Sequence, residues 1–257
     1  MLLAIDSGNT NVVFALLHGE EVVGRWRAAS DARRTADEYA VWLTQLMTLD
    51  GFGDVDIEAV MLSNVVPAAD YNLQRLCERY IGGPPMTVKR AAETYPIKIR
   101  LDRPDRIGDD RIANAVGAHN RYKGPLIIVD FGTATTFDVV AADGGYEGGS
   151  IAPGINLSLD ALYRGAAHLP RILIEKPQQV IGQDTVPAMQ SGVFWGYIGL
   201  IEGLVKRIET EFEEPMTVVA TGGLAPLFYG STDSIHHVDH ELTLRGMRLL
   251  YEHAKAK

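Results

Sequence analysis

The feature that most constrains this chain is an internal repeat at its two openings. Leu2-Leu3-Ala4-Ile5-Asp6-Ser7-Gly8-Asn9-Thr10 is an apolar strand running into Asp and then into a Gly turn with small polar residues. Leu126-Ile127-Ile128-Val129-Asp130-Phe131-Gly132-Thr133-Ala134 repeats that design 124 positions later, setting Asp130 against Asp6 and Gly132 against Gly8. Each copy re-enters a β-rich run, Val12–Leu16 and Thr136–Val140, and a third strand follows near Val22–Trp26 and near Gly149–Ala152. Two copies of strand-turn-strand-turn-strand predict a duplicated α/β fold.

After each opening the pattern turns to alternating helix and strand. Tyr39, Leu43, Leu46 and Met47 recur at helical spacing within 36–49, and 68–80, 156–163, 191–212 and 241–255 read as further helices. Short strands are expected at 59–62, 87–88, 97–99 and 216–220. A helix opening at Gly108 closes before Gly124-Pro125, which punctuate the boundary between halves. The division read from sequence is 1–122 and 123–257.

Composition narrows the function. A formal charge of -9 argues against a nucleic-acid or anionic-membrane surface, which needs clustered Lys and Arg. A nucleotide held by backbone amides and a metal remains compatible with it. Cys77 is the sole cysteine among 257 residues, so no intrachain disulfide forms and a reducing compartment is expected. It falls in a helical stretch, where a small buried filler is the expectation rather than a nucleophile. No charged leader precedes Met1-Leu2-Leu3 and no apolar run would span a bilayer, so a soluble, cytoplasmic protein is expected.

Three segments carry chemistry. In Asp6-Ser7-Gly8-Asn9-Thr10-Asn11 a Gly turn lets backbone N–H groups approach phosphate oxygens, and Asp6 can reach Mg²⁺ directly or through water. Alone it would equally be an ordinary Asp-Gly hairpin; its repeat at Asp130–Thr136 favours a two-sided phosphate clamp. Thr221-Gly222-Gly223 is a strand running into glycines, either a surface on which a nucleotide lies against backbone or a tight turn. Asp110 stands at the start of a helix, where unpaired N–H groups stabilise a carboxylate; from the residues alone, a first-turn Asp that only stabilises the helix is the stronger reading. His236 and His240, four apart, straddle a loop and read as surface histidines. Arg25, Arg27, Arg33 and Arg34 read as a solvated edge and helix start.

Taken in order, Asp6-x-Gly8-Asn9-Thr10, Gly108-Asp109-Asp110-Arg111, Asp130-x-Gly132-Thr133-Ala134-Thr135-Thr136 and Gly149-x-Ile151-x-Pro153-Gly154 resemble the successive signatures of type III pantothenate kinases, from residue 2 to about 223. The resemblance implies RNase H-like halves of the actin-like (ASKHA) superfamily facing each other across a cleft. It implies ATP-dependent phosphorylation of pantothenate to 4'-phosphopantothenate, the first step of coenzyme A biosynthesis, by a homodimer whose pantothenate site is completed across the interface. ATP would be held by Asp6, Ser7, Gly8, Asn9, Thr10, Asn11, Val12 and Val13 and by Thr133. Pantothenate would be held by Gly108, Asp109, Asp110, Arg111 and Thr185, with Asp110 as the general base. Asp130 would bind a monovalent cation, K⁺ or NH₄⁺, and Asp6 would meet Mg²⁺ through the phosphates.

Two departures from the family pattern stand out. The family usually has Gly-Ala-Asp-Arg where this chain has Gly108-Asp109-Asp110-Arg111. Two carboxylates facing an anionic substrate would repel it, so Asp109 is expected to point away, as the helix cap. A tyrosine usual seven residues before the motif's Gly is replaced by Leu101, and Tyr95 is out of step. The rivals are an actin-like kinase for a sugar or short-chain acid, and an accessory factor in transcriptional control.

Overall fold

Leu2–Ser7 (β1) is apolar on both faces because it is the middle strand of its sheet. It pairs antiparallel with Asn11–His18 (β2) and parallel with Ala59–Asn64 (β4). Glu21–Ala29 (β3) extends the β2 side and Met86–Thr87 (β5) the β4 side, giving the order β3-β2-β1-β4-β5. The computed structural model describes residues 1–166 and 168–257.

The second sheet has the same plan. Leu126–Phe131 (β6) pairs antiparallel with Ala134–Val140 (β7) and parallel with Thr217–Gly222 (β9). Tyr146–Pro153 (β8) and His237–Val238 (β10) complete the order β10-β9-β6-β7-β8. β6 repeats the burial pattern of β1 residue for residue. The 124-residue offset holds as far as the turn and then slips by one. Asp6 pairs with Val13, whereas Asp130 pairs with Thr136, so the second turn is one residue shorter and β7 matches β2 at an offset of 123.

In the first unit, Ala36–Leu49 (α1) lies over one face of the sheet. Thr35 caps it: Glu38 N–H donates to Thr35 Oγ1, and Glu38 Oε2 accepts from Thr35 N–H. Its Tyr39, Leu43 and Met47 join Leu3, Ile5, Val12 and Phe14 in one core. The helix expected over 68–80 is broken into a 3₁₀ turn at Pro67–Ala69, the helix Asp70–Leu76 (α2) and a π-turn at Cys77–Ile81. Cys77 is fully buried there and its thiol is pushed up to about 12, first by desolvation, as a core filler should be. Val88 opens a short helix, Val88–Ala92 (α3), rather than ending a strand, and 97–99 carries only an isolated bridge at Ile99.

Asp109–Tyr122 (α4) leads out of the first unit. In the second, Ile155–Gly165 (α5) and Thr185–Phe212 (α6) cover the sheet around Val129, Phe131, Phe194, Ile198 and Phe228. The short helix Ala225–Phe228 (α7) follows β9. The closing helix Leu242–Lys255 (α8) departs from the division read in sequence. The compact units are 1–120 with 241–257, and 121–240, so α8 belongs with the first half. It packs on β1 and β4 and crosses α4 so closely that a Cβ on Gly246 would lie 1.8 Å from the Ala113 carbonyl oxygen, and one on Gly117 2.4 Å from that of Leu242. Among the described residues no helix is long and apolar enough to cross a membrane.

Candidate active site

In the first unit the site is built at the carboxyl ends of β1 and β4. The β1–β2 turn closes on a hydrogen bond from Gly8 N–H to the Asn11 carbonyl (3.0 Å), and the Thr10 carbonyl accepts from Ser30 N–H (2.9 Å). Asn9 and Thr10 form its exposed tip, flanked by half-buried Gly8, Asn11 and Val13. Ser7 and Val12 are fully buried, so they support the turn and present no side-chain surface of their own.

Asp6 is half-buried just below this turn. Burial pushes its carboxyl up to about 6, a shift increased by Asp110 and Asp109 and opposed by the Ser63 hydroxyl, which donates to Oδ1 at 2.8 Å. Ser63 is opposite Asp6 in the parallel β1–β4 register. Sequence reading passed over it because a Ser at a strand end has no motif; the repeat offers a signal, since Thr221 stands opposite Asp130 in the matching β6–β9 register.

α4 brings the other two carboxylates. Gly108 starts the helix, its carbonyl accepting from Ile112 N–H at 3.2 Å. Asp110, in the first turn, is half-buried, and its Oδ1 accepts from Arg111 N–H at 2.8 Å. A Cβ at Gly108 would fall 2.5 Å from that Oδ1, so any larger residue there would make the Asp110 carboxylate rotate aside. Asp109 does not cap the helix and does not turn to solvent. It is the first helical residue, 6% exposed, and its Oδ2 accepts from Asn64 N–H at 3.2 Å. Lys89 Nζ lies 4.0 Å from its other oxygen. Desolvation raises the Asp109 pKa, with the Asn64 bond opposing. Asn64 is itself fixed: its side chain accepts from Val66 N–H (3.0 Å) and donates to Asp70 (3.3 Å). Tyr95 meets His253 edge-on at 5.1 Å.

In the second unit Asp130 is half-buried at the end of β6, and Thr133 is exposed at the tip of the shorter turn. Gly132 N–H donates to the Ala134 carbonyl (3.0 Å), and Gly154 N–H to the Thr133 carbonyl (3.1 Å). A Cβ on Gly154 would lie 2.2 Å from Thr133 O, and one on Gly149, at φ +154°, 1.8 Å from Phe137 O. The Gly-x-Ile-x-Pro-Gly segment is therefore the wall that shapes the second turn. Gly222, at φ +88°, turns the chain tightly against Phe131, whose carbonyl oxygen a Cβ there would meet at 2.6 Å. Thr185 is the exposed first residue of α6, behind the cap Asp184.

Comparison with known proteins decides the family. The profile of type III pantothenate kinases matches residues 2–207. The chain belongs to the type III pantothenate kinase family. A member from Rhodospirillum rubrum is 58% identical over 251 residues, covering 98% of both chains. Among solved structures, a Campylobacter jejuni protein described as a Baf family transcriptional activator has a TM-score of 0.62 at 18% identity, covering 99% of this chain and 100% of that one. The ROK hexokinase of Thermus thermophilus has a TM-score of 0.51 at 15% identity, covering 100% and 99%. These likenesses show the fold alone, a duplicated α/β architecture as the repeat predicts.

His236 and His240 are exposed, as expected of surface histidines. His236 Nδ1 accepts from Val218 N–H at 2.8 Å and the His237 ring stacks on Tyr122 at 4.8 Å. Among the described residues no group of three His, Cys, Asp or Glu could hold a metal ion by itself.

Proposed function

We infer that this chain transfers the terminal phosphoryl group of ATP to the primary hydroxyl of pantothenate, giving 4'-phosphopantothenate and ADP, the first step of coenzyme A biosynthesis. The observation that carries the reading is the pair Asp6 and Asp110, within electrostatic reach of each other at one end of the first sheet, in a chain 58% identical to a type III pantothenate kinase. Phosphoryl transfer asks little covalent work of a protein; positioning and charge neutralisation supply most of the acceleration.

Asp110 takes the hydroxyl proton as the oxygen attacks the γ-phosphorus. In the first unit Gly108, Asp110 and Arg111 would meet the acceptor, and the turn tipped by Asn9 and Thr10 the phosphates. In the second unit Thr133 and Thr185 are the positions that the family resemblance gives to ATP and pantothenate. Mg²⁺ fits beside Asp6: a partly buried carboxylate with two carboxylate neighbours and one neutral donor has unbalanced negative charge. Among the described residues no group of three ligands would cage such an ion, so Asp6 would hold it only together with the phosphates of a bound nucleotide. When bound, Mg²⁺ neutralises charge on the transferring group. A monovalent cation, K⁺ or NH₄⁺, would be held beside Asp130, which lies opposite Thr221 in the β6–β9 register.

A homodimer is part of this proposal. Gly192, Gly196, Gly199 and Gly203 fall at i, i+4, i+7 and i+11 on α6, and a Cβ at any of the first three would meet nothing within 4 Å. Glycine inside a helix costs about 1 kcal/mol relative to alanine, so a bare stripe is favoured where another backbone approaches it.

The test is ADP release by purified protein with ATP and Mg²⁺, with and without pantothenate, in K⁺ or in Na⁺. Release that requires pantothenate and K⁺ is the expected result. Release with a sugar or short-chain acid instead would transfer the chain to another acceptor class. Nucleotide binding with no pantothenate-dependent release would favour a regulator.

A further inference from the structure

The carboxylate beside Asp110 is the least expected feature of the site. A buried charge next to a site for two anionic substrates is costly unless it is engaged. Asp109 is engaged on both oxygens. Oδ2 takes the backbone N–H of Asn64, the last residue of β4, and Oδ1 faces Lys89 of α3. One residue earlier on the same strand, Ser63 holds Asp6. The Ser63-Asn64 step therefore grips the phosphate-side carboxylate with its hydroxyl and the first turn of α4 with its next amide. Asp110 follows Asp109 directly, and its own carboxylate is folded over Gly108 and onto Arg111 N–H, so its location is set by where that turn sits.

We propose that Asp109 is a positioning residue for the proton acceptor: it fastens the first turn of α4 to the end of β4 and so fixes Asp110 relative to Asp6. The inference rests on the reading of Asp110 given above. It accounts for a second acid at the site: Asp109 serves the scaffold through an accepted hydrogen bond, so alanine in this chain leaves the Asn64 amide without its acceptor and Lys89 without its counter-charge. Because a misplacement of about 1 Å can cost about a hundredfold in rate, partial release of one turn should be read in kcat.

The experiment compares wild type with D109A, D109N and D110N in steady-state kinetics, together with hydrogen exchange of the peptide containing Asn64. D109A should lower kcat by about tenfold, a fraction of that limit, with KM for ATP little changed, and should speed exchange at Asn64. D109N, whose side-chain oxygen still accepts the amide, should recover most of the lost turnover and restore slow exchange. A purely structural role would lower thermal stability while leaving kcat of the folded protein alone. Wild-type kcat in D109A overturns the proposal, as does a D109N variant impaired as deeply as D109A, or a defect confined to KM for pantothenate. If D109A does not fold, D109N decides: slow Asn64 exchange with most of kcat retained supports the proposal, and a tenfold loss overturns it. Full activity in D110N would remove the underlying reading, whereas inactive D110N beside unimpaired D109A would remove only this inference.

Discussion

Ser63 Oγ donates to Asp6 Oδ1 across 2.8 Å from the neighbouring parallel strand. The bond holds the carboxylate at the strand's end in one orientation, yet it supplies a neutral donor where the charged form needs a cation. The result is a carboxyl that is costly to ionise in the folded chain. Burial, reinforced by Asp110 and Asp109, raises its pKa from 3.8 to about 6 despite the Ser63 bond.

The first prediction follows from its sign. A carboxyl whose folded pKa is raised binds its proton more tightly in the native state, so it stabilises the fold at low pH. That contribution fades as pH rises from 3.8 to about 6. Above pH 7 the ionised group costs about 1–3 kcal/mol. Asp6→Asn should therefore raise the melting temperature of the metal-free protein at pH 8, lose that advantage near pH 4, and depress turnover. Melting curves at the two pH values check it; equal shifts at both would show that charge is not the cause. Mg²⁺ with nucleotide should stabilise wild type and have much less effect on the variant.

Asp110→Asn should abolish turnover, by at least a hundredfold on the scale of general-base contributions, while leaving nucleotide affinity within about twofold. Fold is kept because Asn also accepts the Arg111 N–H that now meets Oδ1. Calorimetric titration with a non-hydrolysable nucleotide, beside the ADP-release assay, separates the two effects.

The duplicated opening was legible because apolar strand, Asp and Gly are local signals, and both sheets carry them in the expected order. What escaped was non-local. Ser63 and Asn64 matter only because β4 lies parallel to β1 in a register that brings them to Asp6 and Ser7, and nothing around residue 63 in the sequence announces that pairing. Repulsion between two carboxylates and an anionic substrate gives the expectation that Asp109 points away as the helix cap. The structure corrects the cap, since the Asp109 oxygens meet Asn64 N–H and Lys89. The Asn64 amide that accommodates it comes from 45 residues upstream. α8 was assigned to the half it follows in the chain, since the glycine contacts that seat it on α4, Gly246 against Ala113 and Gly117 against Leu242, join distant segments.

Gly154→Ala should disable the second turn. The added methyl would lie 2.2 Å from the Thr133 carbonyl oxygen and 2.6 Å from that of Gly132, both backbone atoms that cannot rotate aside. Relief requires moving the turn that presents Thr133 and breaking the bond from Gly154 N–H. KM for ATP should rise about tenfold or more, with a stability loss of about 1–3 kcal/mol typical of overpacking. Unchanged KM would dissociate this turn from the nucleotide.

The glycine stripe of α6 gives the last prediction. In a lone protomer the Cβ of Gly196→Ala meets nothing, so helix propensity should make the variant more stable by up to about 1 kcal/mol. In a dimer packed through the stripe the same methyl separates two backbones and weakens association, and Gly196→Leu should weaken it further. Sedimentation velocity across a concentration series therefore gives opposite readings. Dissociation that grows from Ala to Leu, with melting of the separated protomers held or improved, identifies α6 as the interface. Unaltered association in both variants excludes it and leaves the glycines as an unexplained cost to the longest helix of the fold.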